Sequence, residues 1–201
     1  MWAEIKDDSI FRLYPRRPKW YSDSGEELSD SELAAHLVYR VIDVIPELND
    51  ITHGFTRNPK ENWEIDHTDH VVRVTYTVFE RPLEESKQRA LRKAASTAEQ
   101  YKVGGTQMPG HEWIIPSDDK STNRLFAYKT LLESGDMQMI RFCTSTGEWI
   151  DLDLSLANTM ISEVSTLLAE AAAWEEDKHT EIHDASSIDD LMNITYSDFR
   201  I

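Results

Sequence analysis

The residues in this chain whose types and spacing could do chemistry fall into a few short groups. Asp66, His67, Asp69 and His70 offer two imidazoles and two carboxylates to a divalent metal. In an extended strand His67 and Asp69 face one way and Asp66 and His70 the other, so they converge only if the chain turns. A turn uses Asp and His for reasons of its own. His179 and His183 stand four apart on a predicted helix, where two imidazoles can share one ion, yet HTEIH is not the H-E-x-x-H of metalloproteases. Histidines near a helix C-terminus also interact favourably with its dipole. Asp151 and Asp153 share one face of a strand, as the carboxylates of a glycosidase might, with no third group to raise the pKa of either. Cys143 is the sole cysteine and follows the apolar run from Met139 to Phe142, the setting of a small buried hydrophobe rather than of a reactive thiol. Gly104-Gly105 has neither the P-loop lysine nor the dinucleotide fingerprint and is expected to stop a helix. These readings predict no catalytic residue, no metal and no cofactor.

The chain has 201 residues, 40% of them apolar, enough for one domain or two small ones with a modest core. Its net charge of −16 repels a phosphate backbone or an anionic lipid surface, and nucleic-acid and membrane binding are not expected. The opening MWAEIKDDSIF is acidic where a signal peptide is basic and then apolar, and no stretch has the length of a membrane span. Synthesis in a cytoplasm is the expectation.

The elements follow from apolar periodicity and punctuation. Residues 2–14 alternate around Asp7-Asp8-Ser9 and predict a hairpin, which Pro15 and Pro18 end. Ser29 and Glu32 have capping-box spacing, flanked by Leu28 and Leu33 at staple positions, and predict a short helix from about Asp30. A strand follows over Val38 to Ile45, up to Pro46. From Trp63 to Phe79, two β runs flank the turn at Asp66 to Asp69, with Val72, Val74, Tyr76 and Val78 on one face. After Pro82 the period lengthens to that of a helix carrying Leu83, Leu91, Ala94, Ala98 and Tyr101, closed by Gly104-Gly105, which is also the expected unit boundary. Beyond it the pattern predicts a strand at His111 to Ile115 and a helix capped near Ser117-Asp118-Asp119 that ends at Gly135. A second hairpin over Met137 to Leu154 and a long helix capped by Ser155 follow. That helix carries the stripe Met160, Val164, Leu167, Ala171 and Trp174, and a tail with Ile188, Leu191, Met192 and Phe199 docks back.

The expected fold class is therefore α+β: a small β-rich unit over 1–81, a linking helix over 82–103 and an α+β unit over 104–201. Two segments have the composition of protein interfaces. The stretch YPRRPKWY places Trp20 and Tyr21 among Arg16, Arg17 and Lys19, a basic and aromatic patch on an acidic chain. The helical stripe with Val164, Leu167 and Trp174 exceeds what one hairpin can cover and invites a partner. Trp149 and Trp174 are expected in the C-terminal core.

Two parts of the chain carry a resemblance. The stretch RFCTSTGEWIDLDLSLANTMISEVSTLLAEAAAWEEDKHTEIHDASS, within residues 100–193, resembles a small domain found at the C-terminus of tailed-bacteriophage tail and tail-fibre-associated proteins. HVVRVTYTVFERPLEESKQRALRKAA, with LAAHLVYRVIDVIPELND before it, is similar to small phage tail proteins. The resemblance implies a non-enzymatic structural protein, a tail-fibre or baseplate-associated adaptor located in the virion tail. Its partners would be other tail subunits, in a homo- or hetero-oligomer. A tail-fibre assembly chaperone absent from the mature virion is the alternative, and a module that binds or hydrolyses host-surface glycan is a second one. The glycine-rich repeats of a fibre shaft are missing.

Overall fold

The computed structural model describes residues 1–197 and 199. The fold is α+β, and the chain divides into two compact units, Met1–Arg81 and Pro82–Ile201. The first opens with β1 (Trp2–Lys6) and β2 (Ser9–Tyr14), joined by a two-residue turn in which Asp7 and Asp8 take φ of 50° and 56°. Turns of that hand match strand twist, and Asp tolerates the left-handed region better than most residues.

Helix α1 (Asp30–Ala35) starts where its capping box predicts: Ser29 accepts from the Glu32 amide, and the Glu32 side chain accepts from the Ser29 amide. Leu28 and Leu33 are buried on either side. Strand β3 (Val38–Ile42) is shorter than expected, and Val44 and Ile45 lie exposed beyond it. The following stretch contains a strand that the sequence reading missed, β4 (His53–Arg57). Its apolar content is one Phe and one Gly, too little for a periodic signal. Then come β5 (Glu64–Asp66), β6 (Val71–Arg73) and β7 (Tyr76–Glu80).

The main sheet has the order β2-β1-β3-β6-β5, antiparallel except for the parallel pair β3–β6. Its strands bury Ala3, Ile5, Tyr39 and Val72 with Trp63 on one side, and Trp2 and Val38 under Leu33 of α1 on the other. The predicted single face from Val72 to Val78 divides. Val72 and Val74 are buried in the sheet's core, whereas β7 leaves that sheet to pair with β4 in a separate antiparallel ribbon.

The second unit begins with α2 (Leu83–Gly104), which packs along α4 (Leu154–Asp184). Lys87 Nζ donates to the His183 carbonyl at 2.8 Å and Lys102 reaches Glu175 at 3.3 Å, so the two helices run antiparallel. The stretch expected to link two units is therefore part of the second one, and the division falls at Arg81–Pro82 rather than at Gly104-Gly105. The reason is its buried row of Ser86, Ala90, Ala94 and Ala98, whose small side chains let a neighbouring helix approach closely.

Strands β8 (Thr106–Gln107) and β9 (Ile114–Ile115) form a two-stranded pair. Helix α3 (Asp119–Glu133) is capped by Asp118, which accepts from the Ser121 amide at 3.0 Å. Strands β10 (Ile140–Cys143) and β11 (Trp149–Leu152) make the expected hairpin. Its inner face joins Ile115, Leu125, Phe142 and Leu152 to Met160 and Val164 of α4. The cap of α4 is Asp153 rather than Ser155, since the Asp153 carboxylate accepts from the Leu156 amide at 2.7 Å. The short α5 (Ile188–Met192) starts at a second capping box, Ser187 with Asp190, and buries Leu191.

Gly105 combines φ of 84° with ψ of 172°, a conformation open essentially to glycine alone, and an added Cβ would meet the Ile115 carbonyl oxygen at 2.6 Å. Gly104 has open space around its Cα. Gly105→Ala is expected to destabilise the second unit by about 3 kcal/mol or more, while Gly104→Ala stays within about 1 kcal/mol of wild type. Urea unfolding of the two variants checks the contrast.

Candidate functional site

The Asp66–His70 cluster is a turn held by its own side chains. Asp66 Oδ1 accepts from the Thr68 and Asp69 amides, both at 2.9 Å, while Arg73 Nη2 reaches Asp66 at 3.0 Å and Asp69 at 2.9 Å. The Asp69 amide, then the Arg73 guanidinium, hold the Asp66 carboxyl below its usual range. His67 faces away from these carboxylates and bridges two other groups, with Nδ1 2.9 Å from the Tyr39 hydroxyl and Nε2 3.0 Å from Asp8. His70, at φ 55°, stands edge-on to Tyr39 at 5.4 Å. The Tyr39–His67–Asp8 chain has the order of a proton relay. Tyr39 itself is buried in the sheet's core with Ala3 and Val72, while the Asp8 end of the chain is exposed. The relay ties the β1–β2 turn to the β5–β6 turn across the sheet.

His179 and His183 line an open depression on α4 with Glu176 and Thr180. Among the described residues no group of three or more His, Cys, Asp or Glu could hold a metal ion. Asp151 pairs with Arg141 at 3.4 Å across the hairpin and Asp153 caps α4, so the supposed carboxylate pair has two separate structural tasks. Cys143 is half-buried and forms no disulfide among the described residues.

The YPRRPKWY stretch is largely consumed by folding. Arg17 donates to Asp30 at 2.7 Å, to Glu27 at 2.6 Å and to the Leu28 carbonyl, a clasp that closes the loop onto α1. Trp20 packs against the Leu28–Leu33 cluster and lies edge-on to His36 at 6.1 Å. Arg16, Lys19 and Tyr21 remain exposed. The α4 stripe is likewise covered within its own unit: Val164 lies in the α3–hairpin core and Leu167 is buried. Trp174 meets Tyr101 edge-on at 5.9 Å, and Phe199 stacks on Tyr101 at 4.1 Å. The sequence reading counted the hairpin as the stripe's cover and left out α2 and α3. Beside Phe199, Lys93 lies over the Tyr196 ring at 5.0 Å, and burial pushes the Tyr196 hydroxyl up to about 12.

The exposed apolar surface lies elsewhere. Trp149, expected in the core, is 59% exposed on the outer face of the β10–β11 hairpin, on the side of the Arg141–Asp151 pair, and Met139 just before β10 is 60% exposed. Strand alternation carries this signal, because the inward residues Ile150 and Leu152 put Trp149 and Asp151 outside together. In the first unit Phe55 is 41% exposed and Val78, its cross-strand partner, 43%. These two fall on the strand that the sequence concealed and on the one that it placed in the wrong sheet.

Among the described residues no helix is long and apolar enough to cross a membrane. Comparison with known protein families, with curated proteins and with solved structures finds no match.

Trp20→Ala is expected to cost the first unit about 2 kcal/mol, less than a fully buried Trp because one side of the ring is open. Val164→Asp is expected to unfold the second unit, since the charge has no partner in that core. Thermal melts of both variants separate these effects from loss of a partner. Because Asp66 has a lowered folded pKa, its stabilisation is present above the unfolded value near 4 and is lost as pH falls through the folded one. Asp66→Asn should therefore flatten the acid limb of the stability curve of the first unit, read by circular dichroism from pH 6 down to about 2.

Proposed function

We propose that the protein is a non-enzymatic structural component of a bacteriophage tail, a tail-fibre or baseplate-associated adaptor that joins other tail subunits in an oligomer and resides in the virion. The observation that carries this reading is that each unit completes its own core and still presents large apolar side chains at its surface. Phe55 and Val78 do so in the first unit, Met139 and Trp149 in the second. Apolar clusters left outside a finished core are the signature of contacts with other proteins. The resemblance of residues 33–50, 70–95 and 100–193 to tail-associated proteins supplies the context, and the charge of −16 favours basic subunits as neighbours over nucleic acid or lipid.

A second reading has one observation of its own. Trp149 stands on a flat sheet face with the Arg141–Asp151 pair on the same side, an arrangement in which an indole can stack on a sugar ring while ionic groups bond its hydroxyls. That reading makes the second unit a host-surface glycan binder.

Mass spectrometry of gradient-purified particles should find the protein at a fixed ratio to other tail proteins. Its presence in lysate and absence from particles would instead identify an assembly chaperone. Trp149→Ala particles that incorporate the protein normally but adsorb poorly to cells would favour the glycan reading.

A further inference from the structure

We propose that the β4–β7 ribbon is a docking face for a basic, apolar segment of a partner protein. The inference rests on the adaptor reading and gives the chemistry of one of its contacts. Register sets the face: His53 with Glu80, Phe55 with Val78 and Arg57 with Tyr76 lie on one side, Gly54 with Phe79 and Thr56 with Thr77 on the other. Phe79 on the second side is as exposed as Phe55 and Val78 on the first, and the sides differ in what stands beside the apolar groups. On the reverse side the Phe79 ring lies over Gly54, and the Arg81 guanidinium sits 5.7 Å from the ring centre. On the other side Tyr76 stands edge-on to Phe55 at 5.1 Å, and Phe55 and Val78 form an adjacent pair of half-exposed apolar side chains with no cation among the described residues over them.

The loop after β3 enlarges this side. The Tyr76 hydroxyl donates to Asp43, and Arg57 approaches the same carboxylate at 3.7 Å, which fixes Asp43 at the Arg57–Tyr76 end of the face. Val44 and Ile45 follow directly, 60% and 58% exposed. A two-stranded ribbon is marginal in water by itself, and neither strand carries the proline, lysine or bulge that natural edges use against pairing. Burial against a partner segment would remove that instability.

Charge selects the partner. Arg57 is engaged by Asp43 and by the Trp63 ring at 4.6 Å, and His53 by the Thr52 hydroxyl at 2.9 Å. Glu80 at the far end of the face, with Glu47 and Asp50 in the preceding loop, stands in no ion pair with a described residue. The face therefore offers an apolar centre with the unneutralised Glu80 at one end, and the loop that leads into that end of β4 carries two further carboxylates. A second copy of the chain would bring the same carboxylates against them, whereas a segment alternating apolar and Lys or Arg residues satisfies both parts.

The test is calorimetric titration of the full chain with a short synthetic peptide alternating lysine and valine, beside a glutamate–valine control. The lysine peptide should bind and protect residues 53–57 and 76–80 from hydrogen exchange, and the control should not. Phe55→Ser with Val78→Ser alters no charge and should weaken binding about tenfold or more, while Trp149→Ser leaves it unchanged. Glu80→Gln with Asp50→Asn should weaken binding and reduce its salt dependence. Equal binding by the serine variant, protection elsewhere, or no binding would overturn the proposal. Concentration-dependent association of the wild type that the serine variant abolishes would overturn it in favour of a second copy. Failure here leaves the particle measurement untouched, so the docking face and the adaptor role are tested separately.

Discussion

The constraint on which the second unit depends is the need to bury one face of α4 along its whole length. A helix of 31 residues extends about 46 Å, longer than any single neighbour in the fold. Its first half is covered by α3 and the β10–β11 hairpin around Met160, Val164 and Phe142. Its second half is covered by α2 and by the tail, where Trp174 meets Tyr101 and Phe199. Because α4 is continuous, these two packings are fixed to each other. The row Ala90, Ala94 and Ala98 of α2 is as much a consequence of the constraint as the bulky stripe that faces it, since close helix approach needs small residues on one side.

In the first unit local polar bonds take over part of the work that a larger core would do. The Arg17 clasp onto Glu27, Asp30 and the Leu28 carbonyl closes a loop with little apolar content, and the Asp66–Arg73–Asp69 turn closes the β5–β6 hairpin. The histidines and carboxylates that look like chemistry in a linear reading are mostly occupied in this way. His67 links two turns, Asp66 and Asp69 hold the β5–β6 turn with Arg73, and Asp153 caps α4.

What remains at the surface after both cores are satisfied defines the functional question. Among the apolar side chains left at the surface are Phe55 and Val78 on the β4–β7 ribbon of one unit and Met139 and Trp149 at the β10–β11 hairpin of the other. The stripe is covered within the fold, and of the basic loop Arg17 and Trp20 are engaged while Arg16, Lys19 and Tyr21 stay exposed.

The sequence by itself determined the class of the fold, the Ser29–Glu32 capping box, the β1–β2 and β10–β11 hairpins and the length of the two long helices. Caps, turns and apolar periods act over a few residues and can be read from neighbours in the chain. It also determined that α4 needed cover. Only the tertiary structure decided what provides that cover, because helix pairing between residues as distant as Lys102 and Glu175 leaves no local trace. The same holds for β4, whose strand character comes from pairing with β7 and not from its own composition, and for the switch of β7 out of the main sheet. Which apolar residues become core and which become surface depends on the sum of such distant pairings. For that reason Trp20 and Trp149 could exchange expected roles although the loop and the hairpin that carry them lie where the sequence put them.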